Sequence, residues 1–360
     1  MSTQLKDLYT REYINLLSVN ITNFYPNFLK NEFIPSVFDL QWHDKELKER
    51  MHHISQRLQS YLPQSYIKSI QILKKTFLYM NYDFSLQNMI FQDYVEQFGL
   101  DNFEISMDAL ESFTINSSSE FAIRRFIIKY PKQTMQQMRI WAESNNFHIR
   151  RLASEGCRPR LPWAIALKEF KLDPTEVLKI IKVLKDDKHK YVQKSIANNL
   201  NDISKDHPDI IKDLASQWIG NTKALDAIVK HGCRTLLKQS DRKTLNIFGF
   251  KKTTNLILEN FIQDDNVAMG EEFNFSFLIK SLNNLGKLRL EFALFFLRKN
   301  KTHSKKVFKI SEGTYKENSK IFQKKYSFKN ITTRSYYKGL HKLEIIINGE
   351  VFLHKEFHLI

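Results

Sequence analysis

Apolar residues recur every three to four positions through about the first 248 residues of this 360-residue chain, and every second position from about residue 270. The first period is that of helices packed on one face, the second that of half-buried strands. In DKELKERMHHISQRLQSYLP the apolar positions Leu47, Met51, Ile54, Leu58 and Leu62 stand four and three apart. That spacing predicts a helix with Asp44 as its cap and Pro63 as its stop. DPTEVLKIIKVLKDD predicts another, with Asp173 as N-cap, Pro174 in the first helical position and Glu176 completing a capping-box pattern. Further on, Phe273, Phe275 and Phe277 alternate with polar residues, and Leu288, Leu290, Phe292, Leu294 and Phe296 form a second alternating row. Asn348-Gly349 between two apolar runs is a strong hairpin signal. The expected protein is mainly α: a HEAT-like helical-repeat solenoid over 1–250, a linker over 249–266, and an immunoglobulin-like β-sandwich of six or seven strands over 267–360. The cysteine and tryptophan hallmarks of antibody domains are absent from the last part.

The repeat rests on internal similarity. HIRRLASEG at 148–156 lines up with YVQKSIANN at 191–199, 43 residues later, and IVKHGCRTLLK from 228 repeats the theme after about 37 more. Each unit of such an array buries its apolar face only against its neighbours, which predicts a curved solenoid with a concave surface. At about 100° per residue, Val192, Ile196, Leu200 and Ile203 share the core side of one helix, and Ile149, Leu152 and Ala153 take that role in the preceding unit. Tyr191, Ser195, Asn198 and Asp202 fall on a polar face, and Arg151, Glu155 and Arg158 line up at spacings of four and three. The offset matches Arg151 with Lys194 and Glu155 with Asn198, so both polar faces are expected to meet one concave surface.

Charge narrows the partner. Lys and Arg number 55 against 39 Asp and Glu, a formal net charge of +16, with a pI near 9.5. Such a balance points to a polyanion, although the richness in Lys, Asn, Ile and Phe typical of AT-rich coding accounts for part of it. Residues 251–360 hold 20 Lys and Arg against 11 Asp and Glu, so the β region is the more basic per residue and is as open to a nucleic-acid contact as to a solvated role. The two cysteines, Cys157 and Cys233, lie far apart and argue against a disulfide framework or a thiolate metal site. His52-His53 has no second ligand cluster at zinc-like spacing, and HExxH is absent. No metal or cofactor is expected. No apolar run reaches bilayer length, and MSTQLKDLYTREY has neither a basic nor an apolar leader region. The expectation is a cytoplasmic, nucleoid-associated monomer with no membrane contact.

The densest chemistry lies in RLASEGCRPRLPWA, residues 151–164. Arg151, Glu155 and Arg158 read most simply as an exposed intrahelical ion-pair ladder, worth a few tenths of a kcal/mol per pair. The Arg-Pro-Arg-Leu-Pro-Trp continuation weakens that reading. The prolines end the helix and offer Arg158, Arg160 and Trp163 where a phosphate and a base could be met. Trp163 alone reads more simply as a core residue under a loop. In SSSEFAIRRFIIKYP, Ser117 and Glu120 form an S-x-x-E capping box, which gives Glu120 a structural explanation beside a chemical one. Asp202 has only the weaker explanation of a solvated helix residue.

Together, SSSEFAIRRFIIKYP, HIRRLASEGCRPRLPWA, YVQKSIANNLNDISKDHPD and IVKHGCRTLLK, in this order and spacing, resemble the AlkC-type DNA alkylation repair proteins, HEAT-like alkylpurine DNA glycosylases. The resemblance covers residues 100–250, and some members of the family also carry a C-terminal immunoglobulin-like domain. The first hundred residues match in helical character alone. The resemblance implies hydrolytic removal of cationic N-alkylated bases such as 3-methyladenine from double-stranded DNA, without metal or cofactor and with the lesion held in the helix. It carries Glu120 and Asp202 onto the active-site carboxylates, with Asp202 preferred for water because Glu120 has a capping role to fill. It also carries Trp163 onto the lesion-side aromatic, and Arg151, Glu155 and Arg158 onto the cleft. Arg160, Lys194, Asn198 and Arg234 complete the expected lesion- and DNA-binding set. The chain departs from the pattern at Arg125-Phe126, where many relatives have Pro after Arg, at Gln193-Lys194 in place of Arg-Arg, and at Gly232-Cys233 in place of Ala-Leu. These departures bear on affinity and lesion range more than on reaction class. Two other readings use the same residues: a non-catalytic HEAT-repeat DNA-binding protein, and a protein-interaction scaffold whose basic charge is compositional.

Overall fold

The computed structural model describes residues 4–360 apart from positions 82, 84, 332 and 333. The described α-helices are, in order, α1 (Arg11–Phe24), α2 (Lys30–Val37), α3 (Leu47–Tyr61), α4 (Tyr66–Phe77), α5 (Met89–Phe98), α6 (Phe103–Thr114), α7 (Ile123–Lys129), α8 (Pro131–Ala142), α9 (Phe147–Gly156), α10 (Lys168–Leu172), α11 (Thr175–Leu184) and α12 (Lys190–Ile203). They are followed by α13 (Pro208–Trp218), α14 (Lys223–Gly232), α15 (Arg234–Lys238) and α16 (Arg242–Ile247). The strands are β1 (Leu256–Gln263), β2 (Asn266–Val267), β3 (Glu272–Ser281), β4 (Gly286–Leu297), β5 (His303–Tyr315), β6 (Ser319–Ser327), β7 (Gly339–Ile347) and β8 (Glu350–Leu359). The chain packs as two compact units, one ending at Asp206 and one starting at His207. No described helix is long and apolar enough to cross a membrane.

In the first unit the 43-residue repeat is real structure. α8 and α9 pack on each other, and α11 and α12 answer them, with α8 against α11 and α9 against α12. The phasing holds: Val192, Ile196, Leu200 and Ile203, like Ile149, Leu152 and Ala153, are buried. Gly156 ends α9 where a Cβ would come within 2.6 Å of Ile123 Cγ2 and 2.9 Å of Met138 Cε, so this close approach to α7 and α8 requires glycine. Two caps differ from the expectation. α3 is capped by Glu46, paired with Glu49 in a capping box, because Asp44 is absorbed in a short 3-10 turn, Trp42–Asp44. At α11, Asp173 does accept from the Thr175 backbone N–H at 2.9 Å, but Glu176 pairs with Arg139 and Lys179 at 2.6 and 2.5 Å and closes no box.

In the second unit the strands form two sheets, β1-β3-β6 and β2-β8-β7-β4-β5. Phe273, Phe275 and Phe277 of one face Leu288, Leu290, Phe292, Leu294 and Phe296 of the other across a buried core, as a sandwich requires. The expected linker is shorter than its predicted span, because β1 occupies 256–263. The period of LILENFIQ is hidden by a register shift between Glu259 and Ile262, where Asn260 takes φ 50° and moves the side chains that follow to the other face.

Helix gives way to strand between Ile247 and Leu256, yet the packing divides the chain earlier, after Asp206. α13–α16 belong with the sheets for identifiable reasons. Arg242 of α16 donates to the Asn348 carbonyl at 2.6 Å, and Lys230 of α14 pairs with Glu312 of β5. Glu312 also holds Arg289 at 2.7 Å, and Arg289 holds Glu291 at 2.6 Å, so β4 is buried on both faces.

Asn348 and Gly349 close the β7–β8 hairpin with φ of 46° and 83°, the two-residue turn their sequence signals. The Asn348 side chain accepts from the Arg289 backbone N–H at 2.7 Å and donates to the Lys251 and Lys287 carbonyls at 2.9 and 3.2 Å. Asn348→Ala strands these buried groups and is expected to cost the second unit about 3 kcal/mol, measured as a lower urea midpoint. Asn348→Asp keeps the acceptor but sets a buried carboxylate oxygen against the Lys251 and Lys287 carbonyls, and is expected to lose at least as much.

Candidate active site

α9 and α12 lie side by side, and their facing charges form one continuous chain. Arg151 donates from both guanidinium arms to Glu120, at 2.7 and 3.2 Å, and from Nη1 to Ser118 Oγ at 2.5 Å. Its Nη2 lies 3.6 Å from Glu155, and its guanidinium sits 4.7 Å over the Tyr191 ring. Arg158 donates from Nη1 to Glu155 at 2.7 Å and from Nε to Asp202 Oδ2 at 2.9 Å. Lys205 reaches Asp202 Oδ1 at 3.3 Å. The order Glu120, Arg151, Glu155, Arg158, Asp202, Lys205 alternates in sign and balances.

This corrects the picture of an exposed intrahelical ladder. Glu155 and Arg158 are each 6% exposed and Asp202 2%, and two links, Arg151–Glu120 at 2.7 Å and Arg158–Asp202 at 2.9 Å, run between segments, while Arg158–Glu155 at 2.7 Å and Arg151–Glu155 at 3.6 Å are local. Burial by itself would lower the pKa of Arg151 and of Arg158, but Glu120 and Glu155 outweigh it at Arg151, and Glu155 and Asp202 at Arg158, so both net shifts are upward. Removing one member would leave its partners as uncompensated buried charges.

Glu120 is also not the cap that its motif suggested. α7 begins at Ile123 after Ala122 and has no side-chain cap, and Ser117 Oγ donates instead to the Ser85 carbonyl at 2.8 Å. Both Glu120 oxygens are given to Arg151. The preference for Asp202 therefore loses its original reason, a capping role for Glu120. Among the described residues, Asp202 Oδ1 carries a single long contact, from a partly exposed lysine, which leaves lone pairs open on it.

Behind the charges a polar seam locks the two helices. Ser154 donates to Ser195 at 2.7 Å, and Asn199 donates to the Ser154 carbonyl at 2.8 Å; all three residues are buried. Burial pushes the Cys157 thiol up to about 12, away from nucleophilic use.

After α9 the chain turns at Leu161-Pro162-Trp163-Ala164, with the Ala164 N–H bonded to the Leu161 carbonyl at 3.3 Å. Trp163 has φ 64° at the turn position that favours glycine or asparagine. The residue is 62% exposed, so the core reading of Trp163 fails. Lys48 of α3 donates to its carbonyl at 2.9 Å.

The residue that sequence reasoning passed over is Arg124. It is fully buried and donates to the carbonyls of Ile165, Gly156 and Arg158 at 2.7, 2.9 and 2.8 Å, pinning both ends of the turn segment to α7. Burial lowers its pKa to about 10, and its Nη2 has no partner among the described residues. Helical phase held a signal: Arg124 lies about 60° from Ile127 on the core side of α7, whereas Arg125 points away and meets Glu96 at 3.5 Å.

Other expected residues are placed less centrally. Arg160 is occupied by Asp206, at 2.7 Å for Nη2, and by the Asp202 carbonyl at 3.4 Å. On α12, Lys194 is exposed and Asn198 half-buried, one turn before Asp202. Arg234 lies in the second unit, at the start of α15, with Nη1 donating to the His231 carbonyl at 2.8 Å.

Residues 107–228 match the family described as DNA alkylation repair enzyme, and residues 258–360 match the C-terminal Ig-like domain described for the uncharacterised protein YhaZ. YhaZ of Bacillus subtilis (strain 168) is 42% identical over 349 residues, 96% of this chain and 97% of its own. The alkylpurine DNA glycosylase AlkC of Pseudomonas fluorescens, solved bound to DNA containing an abasic site analog, superposes with a TM-score of 0.95. It is 30% identical, and the match covers 99% of this chain and all of that one. The chain belongs to the AlkC family of DNA alkylation repair proteins. In this AlkC-family protein the strain at Trp163 is open to measurement. Trp163→Ala and Trp163→Gly both remove the indole, but only glycine relaxes the left-handed backbone. Trp163→Gly is expected to be the more stable of the two by about 1 kcal/mol in urea unfolding. The opposite order would show that the turn is unstrained.

Proposed function

We propose that this protein is a DNA glycosylase that hydrolyses the N-glycosidic bond of cationic N-alkylated bases, 3-methyladenine among them, in duplex DNA. The observation that carries the reading is the buried ladder, which fixes Glu120 and Asp202, acids from separate segments, in one network with the strained turn of Trp163 beside it. The abasic-site DNA bound by the Pseudomonas protein supports duplex DNA as the partner.

Alkylation gives the base a positive charge. When the C1′–N bond breaks, its electron pair neutralises the departing base, and positive charge moves onto the sugar as an oxocarbenium-like species. A carboxylate fixed beside C1′ stabilises that charge without reorganising. Asp202 has this role because Arg158 fixes its Oδ2 while Oδ1 keeps room to accept from a water; the water oxygen adds to C1′ and its proton leaves through the carboxylate. Glu120, chelated by Arg151, supplies negative potential. Trp163 presents an exposed ring to the cationic base, an attraction of roughly 0.5–2 kcal/mol. Arg151 and Arg158 orient acids here and grip no phosphate; exposed cations such as Lys194 serve the backbone.

The test is release of free 3-methyladenine from methylated duplex DNA in the presence of EDTA. Asp202→Asn is expected to slow release by about a hundredfold or more, with affinity for abasic duplex largely kept. Salt-sensitive binding with no release by the wild-type protein would establish the non-catalytic binder, and weak, salt-insensitive binding the scaffold.

A further inference from the structure

The reading above gives no role to the first hundred residues, yet α3 reaches the turn of Trp163. Lys48 lies near the start of α3, and its Nζ donates to the Trp163 carbonyl at 2.9 Å across 115 residues of chain. The same ammonium stands 4.9 Å from the centroid of the Phe121 ring, and Phe121 directly follows Glu120. One cation therefore touches both segments that frame the site.

The turn needs such a tether. A left-handed conformation at a non-glycine residue costs roughly 1–2 kcal/mol, and packing does not repay it at Trp163. The side chain is largely exposed and borders an open cavity of about 780 Å³ whose other walls include Leu5, Lys6, Glu46 and Lys48. Arg124 fixes the carbonyls of Arg158 and Ile165, on either side of the turn but not at its strained residue. Lys48 holds that residue itself. No carboxylate competes for it as an ion pair within 4 Å among the described residues, although Glu96 and His52 feel its charge.

We propose that Lys48 is a positioning residue for base excision: it holds the Trp163 turn in its strained form and keeps the indole in register with the Glu120 segment. The proposal rests on the glycosylase reading. An element outside the repeats that carry the carboxylates thereby sets the orientation of the lesion-side aromatic.

The experiment compares Lys48→Met, Lys48→Arg, Trp163→Ala and the Lys48→Met/Trp163→Ala double variant in single-turnover release of 3-methyladenine from duplex DNA. Lys48→Met is expected to lower the maximal rate about three- to tenfold, with DNA affinity changed less than about twofold. Lys48→Arg should restore most of the rate, and Lys48→Met should have no further effect once Trp163 is Ala. Independent, multiplying effects of the two substitutions would overturn the proposal. So would a loss confined to affinity with a shallower salt dependence, the mark of an ordinary phosphate contact. If the wild-type protein releases no base, the glycosylase reading fails by itself. The tether is then judged by acrylamide quenching of tryptophan emission: Lys48→Met should raise it in the wild-type background and not in Trp163→Phe, and equal quenching in all would refute it.

Discussion

Arg158 sits between Glu155 and Asp202 with almost no contact with water, and the site depends on that arrangement. Taking any one of these charges out of solvent alone would be prohibitive. Each becomes tolerable because a neighbour, in the same segment for Arg158 with Glu155 and in α12 for Arg158 with Asp202, supplies its counter-charge at hydrogen-bonding distance. Arg151 and Glu120 extend the same logic toward α7. The consequence is structural as well as chemical: α9 and α12 are held in register by groups that the apolar repeat pattern alone would not align. The Ser154–Ser195–Asn199 seam strengthens that register from the side away from the charges. Packing and preorganised electrostatics are here the same set of contacts.

The turn that follows α9 follows a different economy. A tryptophan in a left-handed position, mostly exposed, is a local destabilisation that persists only because its surroundings over-determine it. Arg124 does this from inside, through three carbonyls, and is itself a buried cation with no carboxylate within ion-pair distance among the described residues. Lys48 does it from outside. Such strain, in a position with no packing role, fits an element kept for what it meets rather than for stability.

The second unit shows how far helical packing can follow a sheet. Arg289 and Glu291 occupy the face of β4 opposite the phenylalanine core, where an outer sheet face would ordinarily be wet. Glu312 completes them and reaches α14 through Lys230. The α13–α16 helices read in sequence as the last of the repeats, and they are held by contacts with β-strand residues and with the Asn348 hairpin.

The periodicity of this chain determined the helical repeat and its 43-residue spacing, the strand alternation of Phe273–Phe277 and Leu288–Phe296, and the Asn348-Gly349 hairpin. These follow from local rules, since a period of 3.6 or 2 is written residue by residue. The motif order also pointed to the AlkC family. Sequence did not determine who pairs with whom. Glu120 carries a capping-box spacing and caps nothing, Glu155 and Arg158 have ladder spacing and are buried, and Arg124 looks like one of two equivalent surface arginines and pins the turn of Trp163. In each case several local partners were chemically equivalent, and the choice fell to whichever lay nearest once α7, α9 and α12 had packed. That proximity belongs to the tertiary structure, because it joins residues thirty to more than a hundred positions apart.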